Sequence, residues 1–437
     1  MQQSTSAAEG PASACLAGAP APGCPVSAVA QNLADPLLYT DVEFRLIWDQ
    51  MRAADHLEWT QVNERDGFWS VVRYDDADRV LRDTQTFTSE RGTLLNILGV
   101  EDPAGGRQIA ATDPPRHTIM RARLQKALAS KAAEQQQELI TRLVREVIEP
   151  LADGGPFDFA AAMLALPVAV GGESMGLPRA DWPRLAHLLN SSIAAEDPEY
   201  CTEGGARATL DQAHRELFAY FQDIYHQRRR NLGDDLVSVL ITTEVDGRTM
   251  SPGEVMSNCY SVLLGAVVTT PHSPNYLMSE HIGDGLLDRW AANLALTPTA
   301  VEEALRLGSP VSHFMRYAVR DAEVRGTSIK AGQAVVVWLG AANRDCRAFP
   351  DAETFDLRRK PNKHLAFGIG PHYCVGHAVA RVTLRSLFNE LLSRFTSFAP
   401  AGEPARLHSN FISGYKHLPI TAQPVSSAAR RASRRLP

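Results

Sequence analysis

A single cysteine lies among three glycines in the segment 367–376, which reads FGIGPHYCVG. Glycine lets the backbone approach a flat group closely and adopt conformations that other residues avoid. An amphipathic helix follows at once, so we expect its first backbone amides to face Cys374 and to lower the pKa of the thiol. A thiolate is a soft metal ligand, and amide hydrogen bonds to the sulfur tune the potential of a bound iron. The alternative is a buried structural cysteine in a glycine-rich turn.

The longer stretch FGIGPHYCVGHAVA resembles the haem-binding signature of the cytochrome P450 family, Phe-x-x-Gly-x-His/Arg-x-Cys-x-Gly. The resemblance implies that Cys374 is the axial ligand to the iron of haem b. It also implies that Phe367 shields the sulfur and that His372 holds a haem propionate. A zinc site at His372 and Cys374 is a poorer interpretation, because two further ligands are lacking.

A second motif of that family is Glu-x-x-Arg, present as Glu303-Ala304-Leu305-Arg306. Side chains three residues apart share one helical face and can pair. The motif is common by chance, and its order and distance before the cysteine loop make it informative. The resemblance implies that Glu303 and Arg306 bind Arg344 in a structural network.

Cations are expected beside the haem, because carboxylates near an apolar pocket are costly without a partner. The stretch DPPRHT at 113–118, followed by Arg121, resembles the family element DPP-x-H-x-x-x-R. His117 and Arg121 lie four residues apart and hence on one helical face. Arg316 matches a further propionate-binding arginine. The alternative for each is an ordinary surface salt bridge.

The segment 265–273, GAVVTTPHS, departs from the family where its long central helix crosses the haem. That helix usually carries an acid followed by threonine, which together deliver protons to bound oxygen. The resemblance makes Thr269 a catalytic residue and puts Val268 at the acid position. Valine carries no proton, so the usual relay is broken or rerouted.

A proline follows this position and suggests how the relay is rerouted. Pro271 has no N–H, so the carbonyl of Val267 loses its helical partner and can bind a water. Two side chains one helical turn beyond Val268 and Thr269 are candidate relay residues, with packing as the alternative: His272 and Ser273.

The elements that must hold these residues are mostly helical. Apolar residues recur at helical spacing in 131–151 and 376–395. Strand patterns are few: 68–72 follows an Asp66-Gly67 turn and predicts a hairpin, and 334–339 predicts a short strand. We predict a mainly α fold with a minor β region. The resemblance makes it the P450 fold, a triangular helical prism with haem between the long central helix and the helix after the cysteine loop.

Composition places these elements in one domain and limits the partners. The segment 1–30 is rich in Ala, Pro and Gly and predicts a disordered leader, and 426–437 predicts a disordered basic tail. The segment 31–425 is expected to form a single catalytic domain. The formal net charge of -6 argues against nucleic acid or an anionic membrane as partner.

Two further features of the sequence indicate where in the cell the protein is expected. No segment reaches the ~18 apolar residues that span a bilayer. Six cysteines without regular spacing argue against a disulfide framework or a zinc ribbon and favour the cytoplasm.

By resemblance, the chain is a monooxygenase that activates O2 to hydroxylate or otherwise oxidise a small metabolite. Thiolate donation from Cys374 would promote cleavage of the O–O bond. The sequence has no flavin or iron–sulfur domain, so electrons are expected from a separate ferredoxin and ferredoxin reductase. Cations expected on the cysteine side, where an acidic carrier can dock, are Lys126, Lys363, Arg381 and Arg385.

Two other functions stay open. With Val268 in place of the acid, a P450-type enzyme can couple radicals or use peroxide without inserting oxygen. The second is a haem or ligand binder without activity, against which the intact Thr269 and cysteine signature argue.

The substrate pocket is expected to be largely apolar and to fit a medium-sized natural product. His313 and Phe314 suggest an aromatic or polyfunctional metabolite. By resemblance, its lining is predicted from the segments 92–100, 265–269, 311–314 and 411–413, with these residues: Leu94, Leu95, Leu98, Gly265, Val268, Val311, His313, Phe314, Phe411 and Ile412.

Overall fold

The computed structural model describes residues 32–425. The predicted leader, 1–30, and the predicted tail, 426–437, lie outside the described residues. The α-helices in the described part are α1 (Phe44–Ala53), α2 (Tyr74–Arg82), α3 (Arg116–Ala127), α4 (Ser130–Gln135), α5 (Gln137–Ile148), α6 (Phe159–Met175), α7 (Trp182–Ile193), α8 (Gly205–Arg230), α9 (Leu236–Ile241), α10 (Pro252–Val267), α11 (His272–His281), α12 (Leu286–Ala291), α13 (Thr297–Gly308), α14 (Leu339–Ala342) and α15 (His377–Arg394).

Within residues 32–425 the strands are short and form one five-stranded sheet and four smaller ones. They are β1 (Glu58–Gln61), β2 (Gly67–Val71), β3 (Phe87–Thr88), β4 (Phe157–Asp158), β5 (Glu244–Val245), β6 (Arg248–Thr249), β7 (His313–Ala318), β8 (Ala322–Val324), β9 (Thr327–Ile329), β10 (Ala334–Trp338), β11 (Phe395–Pro400), β12 (Ala405–Arg406), β13 (Tyr415–His417) and β14 (Pro419–Pro424). The largest sheet has the order β1-β2-β10-β7-β3. The mainly helical class with a minor sheet region is therefore confirmed.

The predicted hairpin and strand are both present. β1 and β2 pair antiparallel, and the amide of Val62 donates to the carbonyl of Asp66 across the turn. β10 lies beside β2 in parallel and beside β7 in antiparallel orientation. This sheet places β7, and with it Arg316, against the body of helices.

Two helix predictions fared differently. α15 matches the segment 376–395 closely. The segment 131–151 was expected to be one helix, but the structure divides it into α4 and α5 at Gln136, where ψ is 0°. The apolar face of α5 packs against α15, so the prediction of its buried side holds.

The central helix is interrupted, which corrects the expectation of one long helix. α10 begins with a capping box between Ser251 and Glu254 and ends at Val267. Pro271 starts the next helix, and the amide of His272 donates to the carbonyl of Thr269 in a tight turn. Because this turn replaces a helical turn, Val268 and His272 do not share a continuous helical face.

The core consists of one large apolar cluster and a smaller one. The large cluster includes buried residues of α5, α6, α10, α13 and α15. The smaller cluster packs aromatic rings beneath the five-stranded sheet: Tyr39, Phe44, Trp48, Phe68 and Trp338. None of the helices within residues 32–425 combines the length and the apolar character needed to cross a membrane.

Candidate active site

A cavity of about 350 Å³ lies between the cysteine loop and α10. Cys374 lines one wall, and Gly265, Val268 and Thr269 line the opposite wall. The two segments that the sequence singled out therefore meet across one space. The α3 residues His117 and Arg121 and the β7 residue Arg316 lie at its edge.

The cysteine loop has the tight backbone that its glycines predict. The amide of Gly368 donates to the carbonyl of Leu365, and the amide of Cys374 donates to the carbonyl of Phe367, both at 2.8 Å. Gly370 has a φ of 74°, and a Cβ there would lie 3.1 Å from the backbone of Leu81 and Arg82. Only glycine fits this position without moving α2.

The thiol of Cys374 faces amides at the start of α15, as expected. Burial nevertheless raises its pKa above the usual value. The amides of Gly376 and His377 and the charges of Arg121 and Arg381 act in the opposite direction and are outweighed. The expectation of a lowered pKa was therefore wrong. A thiolate in this place needs a bound cation such as a metal to become stable.

A basic cluster lines the edge of the cavity: His117, Arg121, Arg316 and His372. The rings of His117 and His372 lie 4.3 Å apart between centroids. Burial lowers the pKa of His117 to about 3, and the neighbouring His372 and Arg121 add to this effect. Burial also lowers the pKa of Arg316 to about 10.

Several polar atoms of this cluster lack partners. Both ring nitrogens of His117 and Nε of Arg316 are buried without a hydrogen bond among the described residues. Asp113 is the carboxylate that contacts the cluster, 3.7 Å from Nε2 of His372. Four basic residues facing one carboxylate in a buried place fit an anionic ligand. Haem b, with two propionates and an iron for Cys374, meets both requirements.

Arg121 also contacts the cysteine loop. Its guanidinium donates to the carbonyls of Pro371 and Tyr373, at 3.1 and 2.5 Å. It therefore joins α3 to the cysteine loop and lines the cavity with its remaining surface. His372 is held by Ser89, whose hydroxyl lies 3.2 Å from Nε2.

The wall opposite the cysteine includes Thr269, the hydroxyl that the sequence identified. Oγ1 of Thr269 donates to the carbonyl of Gly265 at 2.7 Å. Val268 is fully buried and presents no polar atom. His272 is absent from the cavity lining, packs against the backbone of Gly414 and has a pKa lowered to about 3 by burial. The structure gives it no direct contact with the cavity.

Six of the ten predicted substrate contacts line the cavity: Leu94, Gly265, Val268, Val311, Phe314 and Phe411. Four do not, and we remove them from the set: Leu95, Leu98, His313 and Ile412. Leu95 packs in the smaller core cluster, and Leu98 lies in a surface groove.

The other two excluded residues have structural partners. His313 is buried, accepts from the amide of Leu95 at 3.1 Å and contacts the carbonyl of Asn410. Ile412 is buried in a bridge to Val311. His313 therefore no longer supports an aromatic or polyfunctional substrate, and Phe314 is the remaining support for it.

Other lining residues were missed by the sequence analysis. Asn258 and Ser261 precede Gly265 on α10 at helical spacing, so the periodicity of α10 could have identified them. α6 contributes another group and is apolar on all sides, so its pattern does not reveal which side faces the cavity: Pro167, Val170, Gly171, Ser174 and Met175.

The Glu-x-x-Arg pair is present but has a different third member. Glu303 and Arg306 pair at 2.8 Å and are both fully buried. Glu303 also binds Arg359 at 2.9 Å, whereas Arg344 donates to the carbonyl of Leu307 and to Glu353. The predicted partner Arg344 was therefore wrong. Arg359 comes from the irregular segment before the cysteine loop, where spacing gives no guide to contacts.

Comparisons with known proteins agree with this geometry. A family model described as cytochrome P450 matches residues 278–416. Cytochrome P450 NovI of Streptomyces niveus is 31% identical over 401 residues, which cover 89% of this chain and 95% of that relative. A methyl-branched lipid omega-hydroxylase of Mycobacterium tuberculosis is 32% identical over 363 residues, covering 81% of this chain and 84% of the relative.

A solved structure shows the same fold. The P450 OxyD, described as involved in the biosynthesis of vancomycin-type antibiotics, has a TM-score of 0.80 and 33% identity. The match covers 90% of this chain and 99% of OxyD. The predicted P450 fold is thus confirmed. The chain belongs to the cytochrome P450 family and is an enzyme that binds haem b through a cysteine thiolate.

Proposed function

We propose that this enzyme is an O2-activating monooxygenase that hydroxylates or otherwise oxidises a small, largely apolar metabolite. The observation that carries the proposal is the cavity with Cys374 on one wall and apolar side chains with Thr269 on the other. The names of the relatives support it, since one acts on methyl-branched lipids and OxyD is involved in making antibiotics. We therefore place the substrate among natural-product-like metabolites of secondary metabolism.

In this proposal Cys374 would bind the iron of haem through its sulfur, and Phe367 would shield that sulfur. His117, Arg121, Arg316 and His372 would hold the propionates, which would supply partners for the buried nitrogens of His117 and Arg316. Arg121 supports this group by fixing the cysteine loop. Bound haem would supply the oxidative chemistry, and the thiolate of Cys374 would tune it by donating electron density to the iron.

The apolar wall binds the substrate and keeps water away from the reacting centre. Leu94, Val311, Phe314 and Phe411 come from three separate segments of the chain. Their side chains offer contact area but little hydrogen bonding, so recognition depends on shape and burial.

Thr269 is the residue we propose to hold a proton at the cavity wall opposite Cys374. Its hydroxyl now donates to the carbonyl of Gly265, and a hydroxyl can rotate to donate elsewhere. Val268 supplies no proton, so the protons must arrive through water beside the turn 268–271. Ser261 also lines this wall and is available to hold such a water.

Electrons are proposed to come from a ferredoxin and its reductase in the cytoplasm. Lys126 and Lys363 are exposed, and the side chain of Arg385 is 41% exposed, so all three suit an acidic partner. Arg381 is less suited to an acidic partner, because its Nε and Nη2 already donate to the carboxylate of Glu302, each at 2.7 Å. We therefore remove Arg381 from the docking set.

A second function is favoured by one observation, the apolar Val268 at the acid position. An enzyme of this kind can couple radicals or use peroxide without inserting oxygen into the product. Turnover under isotopically labelled O2 separates the two functions. Label in the product supports insertion, whereas unlabelled product supports the second function.

The substrate class is tested by spectral titration of the haem-loaded protein. A panel of apolar metabolites and a matched panel of charged metabolites are added, and the shift caused by loss of iron-bound water is recorded. We expect saturable shifts from the apolar panel and none from the charged panel. Shifts from the charged panel alone would contradict the proposal. Leu94→Glu provides the matched variant and should weaken binding of apolar metabolites.

A further inference from the structure

Arg381 lies on α15 behind the cysteine loop, two turns beyond Cys374. Its Nε and Nη2 donate to the two carboxylate oxygens of Glu302, each at 2.7 Å. Its side chain is 21% exposed and that of Glu302 is 19% exposed, so the pair is largely removed from water. Such a forked contact fixes the plane of the guanidinium group.

The same guanidinium group contacts three residues around the cysteine. Nη1 lies 3.3 Å from the hydroxyl of Tyr373 and 2.9 Å from Nδ1 of His377. The guanidinium carbon lies 4.5 Å from the centroid of the Phe367 ring. Tyr373 precedes the cysteine directly, and the carbonyl of Phe367 accepts from the amide of Cys374. Arg381 therefore touches the residues that enclose the sulfur.

Glu302 anchors this arrangement from the other side. It accepts from Nε2 of His364 at 3.1 Å, and Nδ1 of His364 accepts from the amide of Ala366. Burial opposes ionisation of Glu302, but the hydrogen bonds of His364 and Arg381 lower its pKa to about 2. The carboxylate is therefore charged at any working pH and keeps Arg381 in place.

We propose that Arg381, anchored by Glu302, is a positioning residue that fixes the enclosure of Cys374 and places a permanent positive charge behind its sulfur. A positive charge there stabilises the electron-rich form of the site, so it raises the reduction potential of the bound haem. This inference rests on the proposed axial role of Cys374. It gives Arg381 a task distinct from docking a partner.

The test measures the reduction potential of haem-loaded variants. Arg381→Gln removes the charge, Arg381→Lys keeps it without the fork, and Glu302→Gln removes the opposing charge. We expect Arg381→Gln to make the reduction potential of the haem about 59 mV more negative. At a fixed ambient potential this corresponds to about a tenfold lower ratio of reduced to oxidised haem. Glu302→Gln should shift the potential in the opposite direction, and Arg381→Lys should stay near the parent protein.

The sign of the two shifts separates this role from simple loosening. If Arg381→Gln and Glu302→Gln shift the potential in the same direction, disorder of the loop explains both and the inference fails. Lys126→Gln is the matched control, since it removes an exposed cation that does not touch the loop. It should raise the KM for ferredoxin and leave the potential unchanged, whereas Arg381→Gln should change the potential and leave that KM unchanged.

Three further outcomes are distinguished. An unchanged potential in Arg381→Gln, together with a raised KM for ferredoxin, would make Arg381 a docking cation and overturn the inference. If Arg381→Gln fails to hold haem, the upward shift in Glu302→Gln still tests the proposal. If the parent protein lacks a thiolate-type haem spectrum, the axial role of Cys374 fails, which is a separate result.

Discussion

The two walls of the cavity differ in how their residues are held. On the cysteine side, Arg121 donates to two carbonyls of the loop, Arg381 donates to the hydroxyl of Tyr373, and Gly370 packs tightly against α2. On the opposite side α10 ends at Val267, and the hydroxyl of Thr269 donates within its own segment, to the carbonyl of Gly265. The cysteine side is therefore held by more hydrogen bonds between segments than the wall opposite it.

This difference has a chemical reason. A metal ligand must keep one geometry, so the loop around Cys374 is fixed by many partners. The opposite wall must admit substrate and oxygen and release product, which a fully bonded wall would hinder. Substitutions should therefore act on ligation and stability on the cysteine side, and on the yield of product on the other side.

The largest effect is expected at the ligand itself. Cys374→Ser removes the thiolate and should reduce product formation to background, with a changed absorption spectrum of bound haem. Cys201→Ser is the control, because that free cysteine lies away from the cavity. A spectrum unaffected by Cys374→Ser would remove the distinction between the two walls.

The next effect concerns the framework behind the cysteine side. Glu303→Gln leaves the fully buried Arg306 without its counter-charge and also releases Arg359. We expect destabilisation of about 3–5 kcal/mol, measured by denaturant unfolding. Glu353→Gln removes the 64% exposed partner of Arg344 and should cost less than about 1 kcal/mol. Equal losses would show that Arg344 matters as much as Arg359.

The cysteine side was also the more predictable from sequence. Its ligand, its glycines and Phe367 lie within ten residues, so their contacts are local and follow from the backbone. Arg359 was missed because its contact with Glu303 spans 56 residues of chain through an irregular segment. The interruption of the central helix follows in part from the sequence. Pro271 indicates a lost helical hydrogen bond at Val267, but the sequence does not show that α10 ends at Val267 and that a tight turn follows.

The opposite wall combines segments that are distant in the sequence. For this reason some of its predicted lining residues face the cavity and others do not. Phe314 and Leu94 were placed correctly, but Leu95 and His313 bond to each other behind the wall. Adjacent residues in a loop or strand point in different directions, and the sequence of 92–100 is apolar throughout. Only packing decides which side chain faces the cavity.

A smaller effect is expected from the hydroxyl on the opposite wall. Thr269→Val keeps the shape but removes the hydroxyl, and it should lower the product formed per reductant consumed by about tenfold. This is less than the roughly 10²–10⁴-fold of general acid–base catalysis, because water beside the turn 268–271 still carries protons. Thr269→Ser should restore most of the ratio. Thr270→Val changes the neighbouring threonine of the same wall and should leave the ratio near that of the parent. A larger loss in Thr270→Val would transfer the role to Thr270.

The smallest effect concerns the C-terminal hairpin of β12 and β13, whose connecting loop carries Phe411 to the opposite wall. His417 contacts Asp158 at 2.6 Å and Glu199 at 3.0 Å, so it ties β13 to the start of α6 and to the connection between α7 and α8. The bond to Asp158 raises the pKa of His417, burial opposes this rise, and Glu199 adds to it. The charged form is therefore favoured in the folded protein.

A raised pKa stabilises the fold below the unfolded value of about 6.5, and this contribution is lost as the pH rises through the folded value. Because the side chain is 44% exposed, we expect less than about 1 kcal/mol. Thermal unfolding of His417→Gln should match the parent above this range and show a lower midpoint below it. A constant difference at all pH values would mean that His417 acts by packing alone. Packing rather than an ion pair would then hold the hairpin in place, as it does for the apolar side chains of the opposite wall.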